Sequence, residues 1–230
     1  MGNLCISGTL KKSDRTQSWR LQSTTQAPSA LELRLIDAVK VYGEARRQKA
    51  LANKSNLNRY VLQFPSVREG FESLRSSFGK FDTNADGALD YSEFKNACRE
   101  LNWSISQQTL EDIFLEADMD HSKSIDFKEF VIIVSCVLLL SSNTEALENS
   151  KLRQAIDIVV DTFMLFDGDG TGYIALEEVN KKMSEGGLGK ETSSSNTLRF
   201  EEMDWDQNGK VSFIEFLFAM EGWVDLDIQE

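Results

Sequence analysis

Residues 82–93 read DTNADGALDYSE, and three further stretches of the chain repeat this arrangement of oxygen-bearing side chains. They are DMDHSKSIDFKE at 118–129, DGDGTGYIALEE at 167–178 and DWDQNGKVSFIE at 204–215. Each stretch has twelve residues, begins with Asp, ends with Glu and has Asp or Asn at its third position. Carboxylate and amide oxygens at this spacing are typical of a calcium-binding loop between two helices. The sequence therefore predicts four such loops, numbered here one to four.

The loops carry the ligands that calcium prefers. Calcium takes six to eight oxygen atoms at about 2.3–2.6 Å, and a loop of this kind supplies them from positions 1, 3, 5, 7, 9 and 12. Position 7 binds through its main-chain carbonyl, and the Glu at position 12 binds through both carboxylate oxygens. In loop three, Ala175 at position 9 leaves a water molecule to complete the shell. The predicted ligands are Asp82, Asn84, Asp86, Ala88, Asp90, Glu93, Asp118, Asp120, Ser122, Ser124, Asp126, Glu129, Asp167, Asp169, Thr171, Tyr173, Glu178, Asp204, Asp206, Asn208, Lys210, Ser212 and Glu215.

Loop two departs from this pattern at position 6. The chain turns sharply there with a positive φ, which glycine adopts at the lowest cost. Loops one, three and four have glycine at position 6, whereas loop two has Lys123. A side chain in this conformation costs on the order of 1 kcal/mol. We therefore expect loop two to bind calcium more weakly than its carboxylates suggest; a second interpretation is that it only supports loop one.

The spacing of the loops predicts two pairs. Loop starts are 36 residues apart in the first pair and 37 in the second, whereas 49 residues separate the pairs. Apolar residues at steps of three and four precede each loop, as in an amphipathic helix, and an apolar residue at position 8 suits a short strand between paired loops. The helix before loop four is the weakest and follows a polar linker at 186–196. We expect an all-α fold with lobes at 61–140 and 150–230, joined by a linker at 141–149.

Charge and composition exclude several classes of protein. The net charge is −12, and residues 81–230 hold 31 Asp and Glu against 11 Lys and Arg, whereas residues 1–80 hold 6 against 14. So acidic a region argues against nucleic-acid binding and suits cations. Three widely separated cysteines without a CxxC pair predict a reducing compartment, hence a cytoplasmic location. The longest apolar run, 130–140, is shorter than the roughly 20 residues of a membrane span.

The N-terminus carries candidate lipidation sites. Gly2 follows the initiator Met1 and is a candidate for N-myristoylation, although Ile6 stands where the pattern has Ser or Thr. Cys5 is a candidate for palmitoylation, and basic residues follow it. Two such signals would hold the protein at the periphery of an anionic membrane. The alternative is that residues 1–30 form an unmodified flexible tail.

Residues 31–60 are predicted to hold a basic amphipathic helix, at 31–52. Leu31, Leu35, Val39 and Tyr42 mark one face. Lys40, Arg46, Arg47 and Lys49 make the helix cationic. Three roles remain open: lying on an anionic membrane, entering the groove of a lobe as an internal target, or packing on the first lobe as an additional helix.

Residues 65–222 resemble the calmodulin superfamily through the four loops and their pairing. The extended N-terminus, which begins MGNLC, makes the chain similar to the plant calmodulin-like proteins. This resemblance implies an all-α fold with two lobes of paired EF-hands, Ca²⁺ as the bound ion, and calcium sensing without catalysis. The additional N-terminal helix is predicted from residues 31–52 themselves. Lys123 departs from the family pattern, and the first sixty residues lie outside the resemblance to calmodulin itself.

Three functions are compatible with such a chain. A sensor exposes an apolar groove on binding calcium and regulates target proteins, a buffer opens little, and a fixed regulatory subunit stays on one enzyme. The nearly all-apolar helix after loop two favours the sensor. Catalysis and a small-molecule substrate are not expected, because His121 is the only histidine and GxSxG, HExxH and GxGxxG are absent from the sequence.

Overall fold

The computed structural model describes residues 28, 30–50, 63–101, 103, 106–118, 120–140, 150–185 and 193–226. Across these ranges the chain forms nine helices and two short strands, which confirms the prediction of an all-α fold. The helices are α1 Ala30–Ala50, α2 Phe64–Phe81, α3 Tyr91–Glu100, α4 Gln107–Ala117, α5 Phe127–Leu140, α6 Lys151–Phe166, α7 Leu176–Glu185, α8 Ser193–Met203 and α9 Phe213–Leu226. The strands are β1 Ala88–Leu89 and β2 Ile125–Asp126.

Position 8 pairs the loops two by two, as predicted. In the first pair, β1 and β2 are antiparallel, with Leu89 opposite Ile125. In the second pair, Ile174 and Val211 exchange two backbone hydrogen bonds, each 2.9 Å long. All four side chains are buried, so each pairing joins two loops above the apolar core.

The two loop pairs pack on each other through α2 and α6. Gly70 of α2 lies so close to α6 that a Cβ at this position would be 2.4 Å from the Ala155 Cβ and 2.8 Å from the Lys151 carbonyl oxygen. Buried apolar residues of both pairs therefore belong to one core. The linker predicted at 141–149 lies outside the described residues, and the division into lobes at that point stays a prediction.

Helix α5 is buried around most of its circumference. Every residue from Phe130 to Leu138 is buried, and the helix packs against α1, α2, α4 and α9. The one hydroxyl side chain in this run, Ser135, donates a hydrogen bond of 2.7 Å to the carbonyl of Val131. Burial between several helices therefore accounts for the apolar sequence that favoured a sensor. No helix in the described part of the chain has both the length and the apolar character needed to cross a membrane.

Two predicted segments differ in the structure. Helix α1 contacts α5 of the first loop pair, but also α6 and α9 of the second, so it does not pack on the first lobe alone. Helix α8 begins at Ser193, inside the predicted linker, where the buried Asn196 donates a hydrogen bond of 3.2 Å to Asn180. Residues 1–27, with Gly2 and Cys5, and residues 51–60 lie outside the described ranges.

Candidate calcium sites

The Asp at position 1 of each loop is held by the turn at position 6. The backbone N–H at position 6 donates to this carboxylate over 2.9 Å in loops one and two and 3.0 Å in loops three and four. The φ angle at position 6 is 87° at Gly87, 67° at Lys123, 88° at Gly172 and 80° at Gly209. Loop two therefore adopts the same turn as the others, but with a side chain in the left-handed region.

A second left-handed residue, at position 4, was missed by the sequence reasoning. The φ angle there is 56° at Ala85, 56° at His121, 72° at Gly170 and 57° at Gln207. Only loop three has glycine at position 4. The four loops therefore share no residue type from which the positive φ at this position could be predicted. Three of the loops consequently carry a non-glycine residue in a conformation that costs roughly 1–2 kcal/mol.

The Glu at position 12 sits in the first turn of the outgoing helix in every loop. One of its carboxylate oxygens accepts a hydrogen bond from the backbone N–H at position 9, over 2.8–3.1 Å across the four loops. In loop one, Asp90 also accepts from the Glu93 N–H, so the two residues form a reciprocal capping box. The side chains that cap the helix are thus the predicted calcium ligands, and the helix start fixes their positions.

Three loops bring three carboxylates together. Oxygen atoms from positions 1, 3 and 12 lie within 4.8 Å of one another in each of these loops. The groups are Asp118, Asp120 and Glu129 in loop two, Asp167, Asp169 and Glu178 in loop three, and Asp204, Asp206 and Glu215 in loop four. In loop one, position 3 is Asn84, whose amide donates a hydrogen bond of 3.0 Å to Asp86.

In loops two and three, the position-5 side chain and the position-7 carbonyl also face each other. The Ser122 hydroxyl donates to the Ser124 carbonyl over 3.0 Å, and the Thr171 hydroxyl donates to the Tyr173 carbonyl over 3.2 Å. These oxygens belong to the ligand set predicted from the sequence. The structure therefore gathers carboxylate, hydroxyl and carbonyl oxygens in one loop, which is the hard-oxygen environment that calcium prefers.

Loop four holds a buried carboxylate that lacks a full set of partners among the described residues. Glu215 is 4% exposed, and the Ser212 N–H donates to its Oε2 over 2.8 Å. Its Oε1 is buried and accepts no hydrogen bond from any described residue. Burial, with Asp206 and Asp204 nearby, raises the pKa of Glu215 to about 8. Burial also raises the pKa values of Asp204 and Asp167. A divalent cation would supply the missing partner and charge, so these residues fit Ca²⁺.

Loop one differs from loop four, because both carboxylate oxygens of its Glu already accept hydrogen bonds. The Thr83 hydroxyl and N–H donate to Glu93 Oε1 over 2.7 and 2.9 Å. The hydroxyl bond is the main reason that the pKa of Glu93 lies below its ordinary value. A cation in loop one must therefore replace existing hydrogen bonds, whereas in loop four it adds a partner to Glu215 without displacing one from Oε1.

Comparisons with known proteins agree with this geometry. A family model of the EF-hand domain pair matches residues 71–135. The probable calcium-binding protein CML21 of Arabidopsis thaliana is 34% identical over 223 residues, covering 94% of this chain and 93% of the relative. The probable calcium-binding protein CML22 of the same plant is 34% identical, covering 86% and 87%. A troponin C of Blattella germanica, isoallergen Bla g 6.0301, is 31% identical and covers 70% of this chain and 97% of its own length. The chain therefore belongs to the calmodulin-like EF-hand calcium-binding proteins.

Proposed function

We propose that this calcium-binding protein is a sensor, in which calcium moves the outgoing helices and uncovers an apolar surface that binds target proteins. In this proposal the four loops bind calcium through the ligands assigned above, with loop two the weakest. The observation that carries the proposal is the position of Glu129, in the first turn of α5. A rearrangement of this carboxylate around an ion moves the helix to which it belongs.

Helix α5 offers the apolar surface that a target would need. Phe130, Val131, Ile132, Ile133 and Val134 are each at most 2% exposed, and neighbouring helices cover them. Two of these neighbouring helices, α1 and α9, lie outside the first loop pair. Displacement of either helix would expose a continuous apolar strip, and burial of apolar area on a target would then drive association.

The second candidate is a calcium buffer, and the closed arrangement of the helices favours it. The large apolar side chains that are exposed among the described residues are Leu33, Val41, Leu115 and Leu198, which lie on three different helices. A chain whose loops fill while α1 and α9 stay in place would bind calcium and present no groove. A fixed regulatory subunit would likewise need no calcium-dependent exposure.

A paired titration separates sensor from buffer. Calcium is added to metal-free full-length protein while calorimetry counts the ions and the fluorescence of a hydrophobic dye reports apolar exposure. The sensor predicts a rise in dye fluorescence that saturates with the ions, and Glu129→Gln should reduce it. If calcium binds to the loops while the dye fluorescence stays constant, the sensor proposal is overturned and the buffer proposal is supported.

We further propose that the protein acts without catalysis and takes no small-molecule substrate or nucleic acid as partner. Two of the three relatives are named as probable calcium-binding proteins and the third as a troponin C. A cytoplasmic location with peripheral membrane attachment through Gly2 and Cys5 stays a prediction. Mass spectrometry of the protein purified from eukaryotic cells tests it directly, because myristate on Gly2 and palmitate on Cys5 each add a defined mass.

A further inference from the structure

Helix α1 lies directly on the third calcium loop. Gly172, at position 6 of that loop, is so close to α1 that a Cβ there would lie 2.5 Å from Ile36 Cγ2 and 3.1 Å from Lys40 Cε. The same glycine has a φ of 88°, and its N–H donates to Asp167 over 3.0 Å. The residue that positions the first ligand of loop three is therefore also the one on which α1 packs.

Tyr173, the next residue of the loop, makes a second connection. Its hydroxyl donates a hydrogen bond of 3.3 Å to Glu32 of α1. Its ring lies 5.3 Å from the Nζ of Lys210, which holds position 7 in loop four. Since Tyr173 is itself the position-7 residue of loop three, α1 touches the segment that supplies the predicted carbonyl ligand.

The other end of α1 is fastened to α6, the helix that leads into loop three. Arg46 donates to both oxygens of Asp161, over 2.6 and 2.8 Å, and to Asp157 over 2.8 Å. Tyr42 donates to Asp157 as well. Gly43 permits this approach, because a Cβ there would lie 2.6 Å from the Cγ of Met164. Paired charges and close packing thus hold α1 against both α6 and the loop.

We propose that docking of α1 and calcium binding in loop three are coupled, so that the docked helix holds loop three in its ligating geometry. The inference rests on the proposed assignment of loop three as a calcium site. The coupling is positive, because Asp167, Asp169 and Glu178 converge within 4.8 Å in the same structure in which α1 is docked. By linkage, calcium in loop three must strengthen the docking of α1 by the same factor.

Two α1 side chains that lie against loop three carry opposite charges. Glu32 and Lys40 both reach loop three and carry opposite charges, so their effects on a bound cation oppose each other. The coupling therefore acts through conformational entropy. A loop three that α1 already holds in one conformation loses less conformational entropy when it binds an ion. Undocking α1 should lower the calcium affinity of loop three by about fivefold to tenfold, in the lower part of the usual range for coupled sites.

Hydrogen exchange with mass spectrometry tests this coupling in the full-length chain. Calcium is titrated, and protection is followed separately in α1, in loop three at 167–178 and in loop one at 82–93. For the unaltered protein we expect protection of α1 to rise with the same midpoint as loop three. Glu178→Gln should abolish the calcium dependence in both, while loop one keeps its own midpoint.

Two variants undock α1 by different means. Arg46→Glu reverses the charge that faces Asp157 and Asp161, and Gly43→Phe places a ring where Met164 lies. Each should raise the calcium midpoint of loop three about fivefold to tenfold and leave that of loop one within about twofold. Arg34→Glu is the matched control, because Arg34 is exposed on the same helix and the change in charge is identical.

The outcomes are distinguishable. A purely electrostatic effect would make Arg46→Glu and Arg34→Glu both lower the midpoint, since each adds negative charge, and this would overturn the coupling. Protection of α1 that does not depend on calcium would also overturn it, because α1 would then be only a structural helix. Absence of any calcium-dependent protection in loop three would overturn the site assignment itself, and with it the coupling.

Discussion

Glu215→Gln should have opposite effects on the calcium-free and the calcium-bound protein. Glu215 is buried, one of its oxygens has no hydrogen-bond donor among the described residues, and Asp204 and Asp206 lie nearby. Glutamine has nearly the same shape without the charge, and its carbonyl can still accept from the Ser212 N–H. The substitution should therefore stabilise the calcium-free protein, while the loss of a carboxylate from position 12 removes calcium binding by loop four.

The pKa of Glu215 sets the size of the effect. Its pKa is raised from 4.5 to about 8, so between these pH values the folded protein keeps a proton that the unfolded chain has released. Stability of the calcium-free protein therefore falls as the pH rises through this window, by about 1.4 kcal/mol for each pH unit. At pH 7 the accumulated cost is about 3 kcal/mol, and Glu215→Gln should recover it; at pH 5 the gain should be less than about 1 kcal/mol.

Urea unfolding in the presence of a chelator, at pH 5 and pH 7, measures this difference. Glu221→Gln is the matched control, because Glu221 is also buried on α9 but lies 3.1 Å from Arg75 and 3.3 Å from Lys128. Loss of these charge-assisted contacts should destabilise the protein by about 1–3 kcal/mol. Equal destabilisation by both substitutions at pH 7 would contradict this prediction, since it would mean that Glu215 is as well satisfied as Glu221.

Three further predictions follow from single residues. Lys123→Gly should raise the calcium affinity of loop two about twofold to fivefold, measured by calorimetry, because glycine adopts a φ of 67° without strain. Lys123→Ala is the control, because it removes the same charge but keeps the strain. An equal gain in affinity for Lys123→Ala would contradict the prediction. Cys98 is 4% exposed, and burial raises its pKa to about 12. A thiol reagent at pH 8 should therefore modify Cys98 only when urea unfolds the protein. Peptide mass mapping that finds equal modification in the native protein would contradict this prediction. Phe163→Ala should lower the free energy of unfolding in urea by about 3–5 kcal/mol, because the ring is fully buried. Leu198→Ala, at a side chain that is 61% exposed, should change it by less than about 0.5 kcal/mol. Equal losses of stability in the two variants would contradict the assigned core.

The loops were predictable because their chemistry is local. Each twelve-residue stretch contains the side chains, the turn residue and the helix start that determine its own geometry, and the structure shows the same hydrogen bonds from positions 6 and 9 in all four. The pairing through position 8 was also predictable, because Leu89, Ile125, Ile174 and Val211 are apolar residues inside polar loops. Lys123 marked the one irregular turn at position 6, and its φ of 67° agrees with that expectation.

The place of α1 could not be predicted in the same way. Its sequence left three roles open, on a membrane, in the groove of a lobe or on the first lobe, because no short-range pattern connects Arg46 with Asp161, which lies 115 residues away. Its outer face also carries Leu33 and Val41, so the apolar residues do not mark a single buried side. The environment of α5 could not be predicted for a related reason. An apolar helix has the same sequence pattern whether other helices of the protein cover it or a target protein binds to it.

Calorimetric titration of the metal-free, full-length protein with calcium measures directly whether the four loops are calcium sites. We expect three or four ions to bind per chain, and Glu93→Gln, Glu178→Gln and Glu215→Gln each to remove one of them while the fold is retained. Absence of binding, or binding that these three substitutions leave unchanged, would contradict the assignment of the loops as calcium sites.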